Sequence, residues 1–235
     1  MEPRRENGGR GERPDVRARS GPEDAGGGGA VPAEPGALEP ASLGSFEKAL
    51  ESGVVPLVAP SADDPRLGAT RLVALDVDGV LTDGRISYGE SGPRDERPSF
   101  HVQDGIAIRW LLAEGVAVVW ISGRGAPAVA HRARELGVAE YLERVPSKSL
   151  ALRSVQERLG IEKAETVAMG DDLPDLGLRA AAGFFAAPAN AVIEVRARAD
   201  LVTRAGGGAG AVRELAEAIL RAKGRWQALV DAAER

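Results

Sequence analysis

Two aspartates that follow a short aliphatic run are the residues of this sequence best placed to do chemistry. The run Arg71 to Leu75 (RLVAL) predicts a buried strand of a parallel sheet, and Asp76 and Asp78 follow it directly. Because alternate residues of a strand point to the same side, we expect the two carboxylates to converge on one small volume. Gly79 has no Cβ, so it lets backbone N–H groups approach an anion closely.

Paired carboxylates at the end of an apolar strand need a compensating charge. The two groups repel each other unless a cation or a shared proton offsets them, and Mg²⁺ is a hard cation that prefers oxygen ligands. The structural alternative is an acidic turn, because Asp and Gly are common turn formers. The longer string from Asp76 to Gly84 (DVDGVLTDG) favours the magnesium site.

Further polar residues follow the second predicted core strand, Val116 to Ile121. Ser122 and Gly123 offer a hydroxyl and backbone N–H groups for a phosphoryl oxygen, and Arg124 offers a guanidinium for a second anion. N-capping of a helix by Ser122 is the alternative. Lys148 opens a predicted helix, where a cation is unfavourable for the helix dipole unless an anion lies nearby; a solvated lysine is the alternative.

Three aspartates follow the third predicted core strand, Thr166 to Met169. Asp171, Asp172 and Asp175 lie within five positions and predict a cation site. The alternative is a capped turn, in which Asp171 or Asp172 is the N-cap before Pro174.

Composition and charge narrow the class of protein. Hydrophobic residues make up 43% of the 235 residues but aromatic residues only 4%, which favours an aliphatic parallel α/β core over an aromatic-rich all-β sandwich. The net charge is −5, so no overall basic field recruits nucleic acid or an anionic membrane. The absence of cysteine removes disulfides and thiolate metal sites, and two histidines are too few for a multi-histidine zinc site. No apolar run approaches the ~20 residues of a membrane span and the N-terminus has no signal-peptide core, so we expect a cytoplasmic protein.

The sequence predicts four segments. Residues 1–41, rich in Gly, Pro, Glu and Arg, are expected to be a disordered tail, and residues 42–70 a linker with a short helix at Ser42 to Leu50. Residues 71–223 are expected to form the folded domain. Residues 224–235 are expected to be a C-terminal tail, in which Trp226, Leu229 and Val230 pack on their own subunit or on a neighbour.

Strands alternate with helices throughout the predicted domain. Helices are predicted at 106–114, 126–136, 147–159 and 191–197, and one more follows the third acidic motif and ends at residue 182. Further strands are predicted at 184–186 and 200–203. A hairpin is predicted directly after the first aspartates, with strands at 85–89 and 98–102 around a turn at 90–97. The alternation predicts an α/β fold: a Rossmann-like parallel sheet with flanking helices and a small β-hairpin insert. Ligands of such a sheet bind outside the carboxyl ends of the strands, where each acidic cluster falls.

The order of these features resembles the haloacid dehalogenase superfamily of aspartate-nucleophile phosphatases. That superfamily has an acidic strand end, a Ser or Thr strand end, a Lys and a second acidic strand end, in this order. The string from Asp76 to Gly84 resembles its first motif in the form used by 3-deoxy-D-manno-octulosonate 8-phosphate (KDO 8-phosphate) phosphatases. Further likeness to that branch lies in these stretches: Phe100 to Gly105, Ile121 to Arg124, Gly170 to Asp172, Val202 to Arg204 and Gly210 to Glu214.

The resemblance, which covers about Arg71 to Glu214, implies a mechanism and an assembly. It implies Mg²⁺ bound by the Asp76 carboxylate, the Asp78 carbonyl and Asp171, with Asp172 and Asp175 in support. It implies that Asp76 is the nucleophile and Asp78 the general acid and base. It implies a hairpin in place of a cap domain, a homotetramer, a sugar-acid phosphate substrate and a place in lipopolysaccharide biosynthesis. The residues implied to bind substrate and phosphate are Gly79, His101, Val102, Gln103, Asp104, Gly105, Arg109, Ser122, Gly123, Arg124, Arg132 and Lys148.

Two departures from the branch leave the substrate open. The branch usually has Arg or Lys where Gln103 stands and a basic residue where Ala209 stands, and each loss removes a possible contact to a carboxylated sugar. A nonulosonate 9-phosphate or another sugar phosphate is therefore an alternative substrate. A second alternative is a non-catalytic tetramerisation module, as attached to sialic acid cytidylyltransferases, but the intact order of motifs favours an enzyme.

Overall fold

The computed structural model of the protein describes residues 64–234, apart from the side chains of Pro93 and Arg94. The predicted tail at 1–41 and the predicted helix at Ser42 to Leu50 lie outside the described residues. Everything that follows concerns the described part of the chain.

A six-stranded parallel sheet forms the centre of the domain. Its strands lie in the order β5-β4-β1-β6-β7-β8, with β1 between β4 and β6. The strands are Leu72–Leu75 (β1), Ala117–Ile121 (β4), Glu140–Leu142 (β5), Thr166–Met169 (β6), Phe184–Ala187 (β7) and Leu201–Val202 (β8), and a separate hairpin pairs Tyr88–Gly89 (β2) with Gly92–Glu96 (β3). The predicted α/β class with a parallel sheet is confirmed.

Helices cover both faces of the sheet. They are Pro65–Gly68 (α1), Val102–Ala113 (α2), Pro127–Leu136 (α3), Lys148–Leu159 (α4), Leu176–Ala181 (α5), Ile193–Arg196 (α6), Ala211–Ala222 (α7) and Trp226–Ala233 (α8), with short 3-10 helices at Lys163–Glu165 and Leu173–Asp175. In residues 64–234 no helix has the length and apolar character needed to cross a membrane.

The residues of β1 alternate between two hydrophobic cores. Val73 and Leu75 pack with the apolar faces of α2, α3 and α7, whereas Leu72 and Ala74 pack with those of α4 and α5. All four are fully buried. A strand that is covered on both faces reads as a continuous apolar run, which is why β1 was predictable from its sequence.

The predicted hairpin exists, but the predicted position of its second strand, 98–102, was wrong. The strand β3 occupies Gly92–Glu96, inside the predicted turn at 90–97, while 98–101 form no strand and Val102 begins α2. Gly92 adopts φ +65°, which suits the end of a two-residue turn. Pro93 is tolerated because both strands of an isolated hairpin are edge strands.

Helix α2 begins four residues before its predicted start. His101 is its N-cap and Val102 its first residue, so Gln103, Asp104 and Gly105 lie in the first helical turn rather than in a loop. His101 makes no side-chain capping bond and is not a typical N-cap residue, so the start of α2 could not be recognised from its N-cap. The three-residue strand β5 was also missed, because it is too short to show a pattern of apolar residues typical of a strand.

The folded domain extends beyond both of its predicted bounds, residues 71 and 223. Leu67 in α1 is fully buried, so residues 64–70 pack with the domain instead of forming a linker. Residues 226–233 form helix α8, and Trp226 and Leu229 pack against the core of their own chain. The ring of Trp226 meets that of Trp110 edge to face at 5.8 Å, and the Arg213 guanidinium lies over both rings.

We expect Trp226→Ala to lower the free energy of unfolding by about 2 kcal/mol, because it removes a half-buried aromatic ring and its edge-to-face contact. Urea unfolding followed by circular dichroism measures this change. Gln227→Ala, on the exposed side of the same helix, is the matched control and should change stability little. Equal stability of the Trp226→Ala variant and the parent would contradict the packing of α8.

Candidate active site

Carboxylates from two neighbouring strands meet at the carboxyl edge of the sheet. Strands β1 and β6 run in register, with Leu75 opposite Met169, so Asp76 and Asp171 leave the same edge close together. The Asp76 N–H donates to the carbonyl of Met169 at 3.0 Å, which continues the ladder by one residue. One carboxylate oxygen from each of Asp76, Asp171 and Asp175 lies within 4.8 Å of the others. The predicted convergence of the first and last acidic motifs is confirmed.

Lys148 lies among these carboxylates. Its ammonium forms salt bridges with Asp76 and, at 2.5 Å, with Asp175, and all three side chains are nearly buried. Ser147 caps helix α4, and Lys148 follows as the first helical residue. The anions that a lysine at a helix N-terminus requires are therefore present.

Asp175 organises the turn that carries Asp171. One of its carboxylate oxygens accepts the N–H groups of Asp171 at 2.9 Å and Asp172 at 3.1 Å, and the other accepts from Lys148. Asp172 turns outward and caps the 3-10 helix by accepting from the N–H of Leu173 at 2.8 Å. Asp175 thus fixes the position of Asp171, and Asp172 stabilises the 3-10 helix that follows.

The cluster carries more negative charge than its lysine can balance. Three carboxylates and one ammonium leave two negative charges, which matches one divalent cation. Burial, together with repulsion by Asp175, raises the pKa of Asp76 well above its ordinary value. Burial and the charges of Asp175 and Asp172 raise the pKa of Asp171 to about 7. Burial opposes the charged form of Lys148, but Asp76 and Asp175 raise its pKa overall. A hard divalent ion fits this donor set, because it would stabilise the ionised carboxylates.

Asp78 and Ser122 lie together beside the cluster. The Ser122 hydroxyl donates to the Asp78 carboxylate at 3.4 Å and accepts the Arg124 N–H at 3.0 Å. Ser122 follows β4, the strand on the other side of β1, and is buried. The first and second motifs are therefore in direct contact.

The loop after Asp78 depends on a glycine and on a threonine that was not predicted as a site residue. Gly79 adopts φ +94°, and a methyl group at its Cα would overlap the Asp171 carboxylate. The hydroxyl of Thr82 accepts the N–H groups of Gly79 and Gly84, each at 3.3 Å, and donates to the Val77 carbonyl. The compact loop thus places Gly79 directly against Asp171.

Several predicted substrate-binding residues lie away from the carboxylates. The guanidinium of Arg124 pairs with Glu96 of the hairpin at 3.0 Å, and Gly123 is exposed beside it. Arg109 and Arg132 bond to the end of α3, through the carbonyl and the carboxylate of Glu135. Within residues 64–234, neither forms a hydrogen bond or an ion pair with the carboxylates of Asp76, Asp171 or Asp175.

The predicted substrate-binding residues at the start of α2, 101–105, lie partly at the surface and partly around a small interior cavity. Val102 and Gln103 are exposed. His101, Asp104, Gly105 and Arg132 line a cavity of about 10 Å³ together with core side chains. Gly105 allows close packing of α2 and α3, because a methyl group there would overlap the Arg132 guanidinium.

Asp104 caps a helix that comes much later in the chain. Its carboxylate accepts the N–H of Arg213, the third residue of α7, at 2.7 Å. Asp104 is buried, and its second carboxylate oxygen has no hydrogen-bond partner within the described residues. Burial raises the pKa of Asp104 above its ordinary value, although the N–H of Arg213 opposes the shift.

The sequence reasoning missed two residues that contact the motifs. Glu96, on β3, holds Arg124 as described above. Asn190 follows β7 and donates its amide to the carbonyl of Gly79 at 3.0 Å. The available signal for Asn190 was its place after the fourth predicted strand of the sheet, in the turn Pro188-Ala189-Asn190.

The fold and the lysine-centred carboxylate cluster define the class of protein. A parallel sheet with two acidic strand ends, a serine strand end and a lysine, all at one edge, is the arrangement of haloacid dehalogenase-like hydrolases. The sequence model of that family matches residues 142–213.

Relatives and solved structures narrow the class. The 3-deoxy-D-manno-octulosonate 8-phosphate phosphatase of Escherichia coli strain K12 is 39% identical over 155 residues, which cover 66% of this chain and 81% of the relative. The structure of that phosphatase from Moraxella catarrhalis, in complex with a magnesium ion, a phosphate ion and a KDO molecule, is 38% identical with a TM-score of 0.69 and covers 72% of this chain and 95% of the other. The cobalt-bound enzyme from Haemophilus influenzae is 35% identical with a TM-score of 0.68, covering 72% and 97%.

The chain belongs to the family of 3-deoxy-D-manno-octulosonate 8-phosphate phosphatases within the haloacid dehalogenase-like hydrolases. It is a phosphatase. The predicted family is confirmed.

We expect Asp104→Ala to lower the free energy of unfolding by about 1 kcal/mol through loss of the cap on α7. Asp104→Asn keeps an acceptor for Arg213 but does not titrate, so it isolates the charge. Because the folded-state pKa of Asp104 is raised, its ionisation costs stability as pH rises from about 4 through that folded-state value. Urea unfolding at pH 4 and pH 7 should show Asp104→Asn gaining stability relative to the parent at the higher pH, and a gain at the lower pH instead would be contradictory.

Proposed function

We propose that the protein is a Mg²⁺-dependent phosphomonoesterase that converts KDO 8-phosphate into KDO and phosphate. The observation that carries this proposal is the buried cluster of Asp76, Asp171, Asp175 and Lys148 at the carboxyl edge of the sheet. The relative from Moraxella catarrhalis, which has the same fold, holds magnesium, phosphate and KDO together.

The proposed metal ligands are the carboxylates of Asp76 and Asp171 and the backbone carbonyl of Asp78. Asp175 is left out of this set, because both of its oxygens are occupied by Lys148 and by two backbone N–H groups. Bound Mg²⁺ supplies positive charge that offsets the negative charge of the phosphoryl oxygens.

In the first proposed step Asp76 attacks the substrate. A bond forms between a carboxylate oxygen of Asp76 and phosphorus, and the bond from phosphorus to the sugar oxygen breaks. Asp78 gives its proton to the departing sugar oxygen. The hydroxyl of Ser122 donates to Asp78 and orients that carboxyl group.

In the second proposed step water hydrolyses the aspartyl-phosphate. Asp78, now ionised, takes a proton from the water that attacks phosphorus, and the bond from phosphorus to Asp76 breaks to release phosphate. Lys148 offsets the charge on the phosphoryl oxygens in both steps, and Ser122 does so when its single hydroxyl proton turns from Asp78 to a phosphoryl oxygen. Lys148 already touches Asp76, so its ammonium lies where that charge develops.

The sugar-acid end of the substrate is assigned to residues beyond the cluster. Gln103 and His101 lie next to Gly210 at the start of α7, and Ala209 lies in the same glycine-rich loop. The residues proposed to bind substrate and phosphate are Gly79, His101, Val102, Gln103, Asp104, Gly105, Arg109, Ser122, Gly123, Arg124, Arg132 and Lys148. Because Gln103 and Ala209 are uncharged, a nonulosonate 9-phosphate is the second candidate substrate.

We also propose assembly as a homotetramer, in which neighbours cover the pocket that the small hairpin leaves open. Large apolar side chains are exposed just before the hairpin at Ile86, on the hairpin at Tyr88, and in the first part of α2 at Val102 and Ile106. Burial of such side chains against other subunits favours association.

We expect Asp76→Asn to abolish release of phosphate from a generic aryl phosphate in the presence of Mg²⁺, because the amide is a poor nucleophile. Asp231→Asn, on α8, is the matched control and should keep full activity. Light scattering should show the same assembly size for both variants and the parent. Retention of a tenth of the activity by Asp76→Asn would refute the assignment of Asp76 as the nucleophile. A parent protein that forms the tetramer but releases no phosphate would favour the non-catalytic assembly module.

We expect kcat/KM for KDO 8-phosphate to exceed that for a nonulosonate 9-phosphate by at least about tenfold, since one lost polar contact is worth roughly that factor. Steady-state phosphate release with each compound measures the ratio. A ratio below one would assign the protein to the second candidate substrate.

A further inference from the structure

The turn after β7 contacts both loops that carry the acidic motifs. The side-chain amide of Asn190 donates to the carbonyl of Gly79 at 3.0 Å. Two residues later, the N–H of Val192 donates to the carbonyl of Asp171 at 2.9 Å. One short segment therefore holds the loop that follows Asp76 and the loop that carries Asp171.

The same asparagine also binds the glycine-rich loop before α7. The carbonyl oxygen of Asn190 accepts the N–H of Gly207 at 2.5 Å, and the N–H of Gly208 donates to the carbonyl of Val80 at 3.1 Å. A methyl group on Gly207 would overlap the carbonyl of Gly79. The glycine-rich loop thus lies directly on the loop after Asp76, and Asn190 joins the two.

The position of Gly79 matters because it abuts Asp171. A methyl group on Gly79 would overlap the carboxylate of Asp171, so any outward movement of this backbone changes the space between that carboxylate and Asp76. The three carboxylates repel one another and tend to separate. A backbone held from outside resists that separation.

We propose that Asn190 is a positioning residue for the cation site. It holds Gly79 against Asp171 through its amide, and it is itself fixed by Gly207, so the ligands Asp76 and Asp171 are set at cation-binding distance before the ion arrives. The identity of the ion as Mg²⁺ rests on the proposed function, whereas the hydrogen bonds that define this role do not. Residues that orient metal ligands in this way commonly change metal affinity or activity by roughly 10-fold to 100-fold when they are replaced.

The test measures binding of Mn²⁺ alone, as a paramagnetic probe, by electron paramagnetic resonance of the free ion. Asn190→Ala removes both side-chain hydrogen bonds and should raise the Kd for Mn²⁺ roughly tenfold. Gly207→Ala places a methyl group against the Gly79 carbonyl that Asn190 holds, removes no hydrogen-bonding side chain and should raise the Kd as well. Gln227→Ala, which removes an exposed amide on α8, is the control and should leave the Kd unchanged.

Thermal unfolding of the same variants separates positioning from a purely structural role. The proposal requires weaker metal binding by folded protein at a temperature well below the transition. A Kd for Asn190→Ala within twofold of the parent, at any melting temperature, would overturn it. Should Asn190→Ala fail to fold, Gly207→Ala decides in the same way, by the same twofold limit.

Phosphate release from an aryl phosphate distinguishes failure of this inference from failure of the proposed function. An active parent whose Asn190→Ala variant binds Mn²⁺ as tightly as the parent retains the phosphatase proposal and rejects the positioning role. An inactive parent whose Asn190→Ala variant binds Mn²⁺ more weakly rejects the proposed reaction and retains the positioning role.

Discussion

Mutual repulsion among three nearly buried carboxylates is the constraint on which this site depends. Burial of a carboxylate without a compensating charge is costly, and here one ammonium serves three of them. The pKa values of Asp76 and Asp171 are raised for the same reason, because binding a proton removes the negative charge that is costly to bury. A divalent cation and a phosphoryl group bring opposite charges that together suit the cluster, the cation for the carboxylates and the phosphate for the lysine.

The parallel sheet is what makes this concentration of charge possible. Strands β1 and β6 are neighbours in matched register, and both end in carboxylates at one edge. Strand β4, on the other side of β1, brings Ser122 to that edge. The apolar residues of these strands alternate between two cores, and the charged residues lie beyond the strand ends. The cost of the cluster is therefore local, and it is offset by the hydrogen bonds that Asp175 accepts and by contacts such as that of Asn190.

Sequence reasoning predicted the parts of this arrangement that follow from local periodicity. Asp76 and Asp171 were placed together because each follows an apolar run, and parallel strands bring their carboxyl ends to one edge. Lys148 was predicted near an anion because its place at a helix N-terminus is otherwise unfavourable. The capping of α7 by Asp104 and the contact of Asn190 with Gly79 join residues more than a hundred positions apart, and no local pattern encodes such pairs. The second hairpin strand was misplaced for a related reason, since its glycine and proline are typical of turns and only the pairing with Tyr88 makes it a strand.

The hairpin holds one of the residues that are proposed to bind phosphate. Its residue Glu96 pairs with Arg124 at 3.0 Å, so the charge of that guanidinium is already balanced by a carboxylate from the hairpin. A phosphate that is to bind Arg124 must compete with that carboxylate, and a dianion does so better than a monoanion because it interacts more strongly with the same cation. The Arg124 side chain is 43% exposed, so solvent weakens the ion pair on that side and the competition is feasible. Under the proposed assignment of Arg124 to phosphate binding, this competition favours fully ionised phosphomonoesters over singly charged ligands.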